Sequence, residues 1–267
     1  MGEYSLGLDW ISSSEGWAVA AISQRNGSLN ISLVRIPAQG ESSPIIKSAT
    51  RIILDAPIGL PTDSEEGCRL RPCDEGARKW IGPALRSSVF AVPYEPELIE
   101  WQRRREGQQK QRLGHFRGLL PAIYSATQIL NHHGQVLESH PELCFAALAG
   151  KQLPSSASKK TLLGTLARLA ILRRHAIDIP LEQIEAQGRV PTDNFIDAVS
   201  MALIAHAWAR NEDLSVITNT EGKPISWHGK SKPTTSLMVL PANYLDTRTT
   251  GSFTPAEIVA LADEWNG

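Results

Sequence analysis

The chain has 267 residues, of which 42% are hydrophobic and 21% are charged, and its formal net charge is −1. This composition is typical of a globular protein with a buried core and excludes a largely disordered chain. It also disfavours a protein whose whole surface is basic for nucleic acid, and no apolar run approaches the ~20 residues that a transmembrane helix needs.

The start of the chain and the cysteines indicate where the protein resides. The N-terminus lacks the basic and long apolar regions of a secretory signal. The cysteines, Cys68, Cys73 and Cys144, are odd in number and form no CxxC pair, so reduced thiols are expected. We therefore expect a cytoplasmic protein without a membrane partner, while the sequence indicates no oligomeric state.

Alternating and apolar segments predict three antiparallel strands at the N-terminus, over residues 4–10, 17–22 and 29–36. Asn26-Gly27 is typical of the tight turn in a hairpin because both residues tolerate positive φ. Short apolar strands are also expected at 51–55, where Pro57 and Pro61 follow, and at 135–138. The pattern predicts three antiparallel strands followed by two further short strands.

The long connection between the last two strands predicts a helical insertion, at about 61–115, followed by a helix at 116–131. Ser158 is the expected N-cap of a helix at 159–175, and Pro191 leads into an alanine-rich helix at 192–210. A C-terminal extension at about 212–267 is expected to contain short strands and loops over 214–251 and a last helix capped by Thr254. We expect one domain over 1–267.

Acidic residues recur where these elements begin or end. Asp9, Asp55 and Glu138 lie near strand ends, and Asp193 and Asp197 are one turn apart on a helix. Carboxylates that converge at one edge of a sheet repel one another without cations, and hard oxygen ligands suit Mg²⁺ or Mn²⁺. Each acid also has a simpler interpretation: Asp193 fits a helix N-terminus, Asp197 a solvent-facing position, and Asp9 and Glu138 turn caps.

Asp55 is the hardest of these acids to explain structurally. It follows an apolar strand and precedes Pro57, so we expect it to be half-buried, where a charge needs a partner.

Residues 101–118 form a basic run that could contact the phosphates of a nucleic acid. A solvated helix face is the preferred interpretation of this run. Its basic residues are Arg103, Arg104, Arg105, Lys110, Arg112 and Arg117.

Six ordered segments carry a resemblance to a known family: LDAPIGLP at 54–61, RPCDEGAR at 71–78, RSSVFAVP at 86–93, ESHPE at 138–142, KK at 159–160 and DNFIDA at 193–198. Over about residues 4–210 the chain resembles an uncharacterised microbial family, domain of unknown function 429, regarded as predicted ribonuclease H-like nucleases. The resemblance implies an α/β, ribonuclease H-like three-layer fold with a mixed five-stranded sheet, three antiparallel strands followed by two parallel ones. It also implies a metal-dependent nuclease, with Asp9, Asp55, Asp193 and Asp197 as metal ligands and Glu138 as a further catalytic residue.

The reaction that the resemblance implies is hydrolysis of phosphodiester bonds in DNA or RNA, assisted by Mg²⁺ or Mn²⁺. Basic and polar residues of the matching segments become candidates for substrate or phosphate binding: Arg71, Arg78, Arg86, Ser87, Ser88, His140, Lys159 and Lys160. The alternatives are salt bridges to Asp74 and Glu75 for the arginines, turn caps for the serines, a loop hydrogen bond for His140, and an exposed helix turn for the lysines.

Two other classes of function are compatible with this fold. Sugar kinases and heat-shock ATPases share its core and bind nucleotide phosphates at their first hairpin, which residues 12–16 resemble in composition. The chain is short for their two-lobed architecture. The other class is a regulatory protein that keeps the fold without turnover.

Overall fold

The structure is a computed structural model that describes residues 4–25, 27–62, 69–107, 116, 118–188, 190–212, 214–218, 220–221, 225–227, 238–241 and 253–266. The expected Cys68 thiol, Lys110, Arg112 and Arg117 lie outside the described residues. Cys73 and Cys144 are buried and free.

The main sheet contains the five predicted strands: β1 (Tyr4–Ser12), β2 (Gly16–Arg25), β3 (Ser28–Ile36), β4 (Ala49–Asp55) and β5 (Val136–Glu138). Their spatial order is β3-β2-β1-β4-β5. The pairs β1–β2 and β2–β3 are antiparallel, whereas β1–β4 and β4–β5 are parallel. The predicted α/β fold with a mixed sheet is confirmed.

The longer helices of the described residues connect and cover the strands: α1 (Pro44–Lys47), α2 (Pro72–Ile81), α3 (Glu95–Glu106), α4 (Leu119–His132), α5 (Pro141–Ala149), α6 (Leu162–Arg174), α7 (Leu181–Ala186), α8 (Thr192–Ala209) and α9 (Pro255–Asn266). A smaller antiparallel sheet has the order β7-β6-β8 and consists of β6 (Leu214–Ile217), β7 (Ile225–Trp227) and β8 (Met238–Pro241). Within the described part of the chain, no helix is long and apolar enough to cross a membrane.

Alternation along the strands divides the core into two layers. Leu6 and Leu8 of β1 pack with Ala126 and Ile129 of α4, while Ile53 of β4 packs on the opposite face with residues of α8. Because side chains alternate between faces along a strand, Asp9 and Asp55 share the face that α8 covers. Helices therefore cover both sides of the sheet, giving three layers.

Gly7 allows α8 to lie directly on β1. A Cβ atom at this position would stand 2.0 Å from the backbone oxygen of Ala198 and 2.3 Å from the backbone nitrogen of Ala202. Such separations are far inside van der Waals contact, so only glycine fits. This close approach brings the first half of α8 over the end of β1.

One predicted cap is wrong. Helix α6 begins at Leu162 rather than at 159, and its N-cap is Thr161, whose side chain accepts a hydrogen bond of 3.1 Å from the Gly164 N–H. Ser158 stays outside the helix, where its carbonyl accepts a bond from the Thr161 hydroxyl. The predicted cap at Thr254 is confirmed, because its hydroxyl accepts from the Glu257 N–H.

Candidate carboxylate site

Two of the predicted acids meet at the ends of neighbouring parallel strands. Asp9 of β1 and Asp55 of β4 are register partners. Asp9 is 3% exposed, and it lies near enough to the half-buried Asp55 for the charge of Asp55 to raise its pKa. The Asn194 amide donates a hydrogen bond of 2.6 Å to Asp9 Oδ2. Since neighbouring carboxylates repel each other when both are charged, a proton or a cation at this place would stabilise the pair.

Asp197 of α8 is the third member of the cluster. It is 0% exposed, and its Oδ2 accepts a hydrogen bond from the Lys159 ammonium. Its Oδ1 is buried and has no hydrogen-bond partner among the described residues. A buried carboxylate oxygen without a donor is energetically unfavourable. Asp9, Asp55, Asp197 and Lys159 are together called the carboxylate cluster below.

The electrostatics of the cluster favour protonation in the absence of another cation. Burial raises the pKa of Asp9 well above its ordinary value, and the charges of Asp197 and Asp55 raise it further. Burial also raises the pKa of Asp197 to about 6, although Lys159 opposes this change. Burial opposes the charged form of Lys159, but Asp197 and Asp9 raise its pKa overall.

Asp193 lies on the first turn of α8 and is paired with Lys160 instead. Within the described contacts, no hydrogen bond or ion pair joins Asp193 to Asp9 or Asp55. The structure thus brings three of the four predicted metal ligands together and leaves the fourth at the margin. Lys159 and Lys160, predicted as phosphate ligands, each hold one aspartate of α8.

Glu138 belongs to a different cluster. In the register of β4 and β5 it pairs with Leu54, so its side chain leaves the sheet on the face opposite Asp55. Both of its carboxylate oxygens accept bonds from Arg71, at 2.8 and 2.5 Å. Arg71 is also bound to Asp74 and to the carbonyl oxygens of Ile58 and Gly59.

The contacts of Arg71 agree with salt bridging, which was the alternative to phosphate binding for this residue. Its Nε, Nη1 and Nη2 are all engaged by protein acceptors, so phosphate binding by Arg71 would require these buried bonds to break. Arg78 likewise donates from Nε and Nη2 to the Val89 carbonyl. Arg86 is exposed, and within the described residues its side chain has no hydrogen bond or ion pair.

Ser87 and Ser88 lie on the same connection as Arg86, and His140, at the start of α5, contacts it. Ser87 is exposed, and the Ser88 hydroxyl donates to the Leu85 carbonyl, as in a turn cap. His140 Nδ1 accepts from the Glu142 N–H, and Nε2 is 3.1 Å from the Ser88 carbonyl. One neutral tautomer, with the proton on Nε2, satisfies both bonds. His140 therefore ties the loop to the start of α5.

A buried ion pair that the sequence did not indicate supports the loop carrying Lys159. Arg168 donates to both carboxylate oxygens of Glu142 at 2.8 Å. It also donates to the carbonyl oxygens of Ala157 and Gly164. Because Ala157 is two residues before Lys159, Arg168 fixes the position from which Lys159 reaches the cluster. The sequence signal related to this pair is the ESHPE segment, which contains Glu142.

A cavity of about 830 Å³ opens beside the cluster. Asp55 lines it together with Glu138 and Arg71, and its walls are mostly apolar, with Trp10, Phe90 and Phe116 among them. Ser12 and Ser13 also line it, and the Ser12 hydroxyl closes the first hairpin by accepting a bond from the Glu15 N–H.

The donor set of the cluster suits a divalent cation by its chemistry. Among the described residues, no group of three or more Asp, Glu, His or Cys side chains is arranged so that it could hold a metal ion. Asp9, Asp55 and Asp197 nevertheless supply hard oxygen donors, one of which, Asp197 Oδ1, is buried and lacks a partner among the described residues. A cation would offset the repulsion among these carboxylates, which would have to move closer together to share it.

Comparison with known proteins gives one match. The family model described as "Protein of unknown function (DUF429)" matches residues 7–222, which include every member of the carboxylate cluster. Neither a search of curated proteins nor a search of solved structures found a match for the chain.

Proposed function

The chain belongs to the family of proteins of unknown function called DUF429, and we propose that it hydrolyses phosphodiester bonds of DNA or RNA with Mg²⁺ or Mn²⁺. The observation that carries this proposal is the carboxylate cluster. Three buried or half-buried aspartates meet there with one lysine, and one buried carboxylate oxygen is left without a donor.

The residues that would hold the cation are Asp9, Asp55 and Asp197. A divalent cation in such a site activates water and offsets the negative charge that develops on the leaving oxygen. With all three carboxylates ionised and Lys159 protonated, the cluster carries a net charge of about −2, which one divalent cation balances. Asp193 is available for a second cation only if its pair with Lys160 opens.

The chain's own residues have separate tasks in this proposal. Asn194 orients Asp9 through the bond to its Oδ2, and Lys159 holds Asp197 while placing a positive charge beside the cluster. Arg86 is the positively charged phosphate candidate that is exposed and has no hydrogen bond or ion pair among the described residues. It lies two residues before Ser88, which lines the cavity, so it can meet a phosphate at that rim.

The test is Mn²⁺-dependent cleavage by the Asp55→Asn variant. We expect the purified protein to cleave single-stranded or duplex DNA or RNA in Mn²⁺ and not in EDTA, and Asp55→Asn to lose this activity. Asp178→Asn is the matched control, because the Asp178 side chain is 83% exposed and lies outside the cluster. Cleavage by Asp55→Asn at the rate of the control would contradict the proposal.

A further inference from the structure

The cavity beside Asp55 contains features that hydrolysis of a phosphodiester does not require. Its volume of about 830 Å³ lies in the range of small-molecule sites, roughly 300–1,000 Å³. Its mostly apolar walls are unsuited to a phosphate. Resting on the proposed function, we propose that this cavity binds one unpaired base of a single-stranded nucleic acid substrate, next to the bond that is cut.

The charges that line the cavity exclude an anion and permit a neutral group. Arg71 is neutralised by Asp74 and Glu138, and the ion pairs that join them are buried. With Asp55 nearby, the ionised residues of the lining carry more negative than positive charge. A phosphate inside would be repelled, whereas a nucleobase is uncharged and carries hydrogen-bond donors.

Two aromatic side chains suit a flat ring. Phe90 lines the cavity and 67% of its surface is exposed, so its ring is accessible to a ligand. Trp10 lines the cavity as well and makes an edge contact with Trp17, with ring centres 4.9 Å apart. The Trp17 indole donates to Ser125 at 2.8 Å, so the Trp10 ring rests on a fixed neighbour.

The chain connects this cavity directly to the carboxylate cluster. Trp10 follows Asp9 on β1, so its side chain leaves the opposite face of the sheet from Asp9. Asp55, at the end of β4, is the register partner of Asp9 and also lines the cavity. A base held against Trp10 and Phe90 would place its own phosphate near Asp55, with Arg86 at the rim for the adjoining phosphate. A base within a duplex is stacked between its neighbours and cannot enter.

The experiment measures binding without cleavage. Fluorescence anisotropy in EDTA compares a labelled oligothymidylate of about twelve nucleotides with a hairpin duplex of similar length. We expect the wild-type protein to bind the single strand more tightly. Phe90→Ala should weaken that binding roughly 5- to 150-fold, the range for loss of one base–aromatic stack. Phe90→Leu should be weakened too, because leucine keeps the apolar surface and lacks the flat ring.

Val259→Ala on α9 is the control, since Val259 is an exposed apolar residue away from the cavity. Equal binding of duplex and single strand, or equal binding by Phe90→Ala and Val259→Ala, would overturn the inference. Phe90-dependent binding without any Mn²⁺-dependent cleavage would support the base site and contradict the nuclease proposal. Mn²⁺-dependent cleavage of single strands that is equally fast in wild type and Phe90→Ala would support the nuclease proposal and contradict the base site.

Discussion

Replacing Asp197 with asparagine is expected to change how stability depends on pH. Burial raises the pKa of this carboxyl from 3.8 to about 6 in the folded protein. Its contribution to stability is therefore fully present below the unfolded pKa and is lost as the pH rises through about 6. At ~1.4 kcal/mol for each pKa unit, ionised Asp197 lowers the free energy of unfolding by about 3 kcal/mol over the whole transition.

Asparagine has the same shape and does not ionise, so Asp197→Asn removes this loss. Lys159 gives up its partner in the variant, but 30% of its side chain is exposed and can be hydrated. Urea unfolding followed by tryptophan fluorescence, in EDTA from pH 4.5 to pH 7.5, gives the free energies. The wild-type protein should lose stability relative to Asp197→Asn as the pH rises. Asp178→Asn should follow the wild type.

Mn²⁺ provides the second half of the measurement. Binding to the folded state alone raises the free energy of unfolding by about 2.7 kcal/mol at one hundred times the Kd. We expect this gain in the wild type at pH 7, a smaller one below pH 6, where protons compete for Asp9 and Asp197, and little in Asp197→Asn. Parallel pH curves for wild type and variant would refute the electrostatic argument. No gain with Mn²⁺ at pH 7 would refute cation binding.

Three further outcomes are expected. Gly7→Ala should lower the free energy of unfolding by about 1–3 kcal/mol or more, because the new Cβ collides with the backbone of α8. Urea unfolding measures this loss. Mn²⁺ binding, measured by calorimetry, should weaken in the same variant. Arg168→Met should cost about 3–5 kcal/mol by leaving Glu142 buried and unpaired, and Arg168→Met combined with Glu142→Leu should recover most of the loss. Lys159→Gln should bind Mn²⁺ more tightly in a paramagnetic-resonance titration, because Asp197 loses a competing cation; weaker binding would show that Lys159 supports the cation.

Local pattern was sufficient to predict the five strands of the main sheet and the two acids on β1 and β4. Alternating and apolar runs identified β1–β3, and the apolar segment ending at Asp55 and followed by prolines identified β4, because these features depend on residues close together in the chain. The half-burial expected for Asp55 follows from the same apolar neighbours. The first four strands are longer than predicted, and pairing with β2 extends β1 through Ser12; β5 begins one residue later than predicted.

The clusters around the site could not be predicted because they join distant parts of the chain. Arg71 and Glu138 are 67 residues apart, and Arg168 and Glu142 are 26 apart. No periodicity relates such residues, so the sequence left phosphate binding and salt bridging open for Arg71. The separation of Glu138 from Asp9 depends on the register of β5 against β4. A shift of one residue would have exchanged the two faces.

The fold and the carboxylate cluster depend on the same contact. Gly7 and Asp9 are two residues apart on β1, so both face α8. The close approach that Gly7 permits buries the apolar side of α8, and it also removes Asp197 from water next to Asp9. Packing of this helix therefore stabilises the core while it destabilises the ionised acids. A cation that binds between these acids would stabilise their ionised forms while the helix stays packed. The pH dependence of folding and the affinity for metal should therefore change together in this chain.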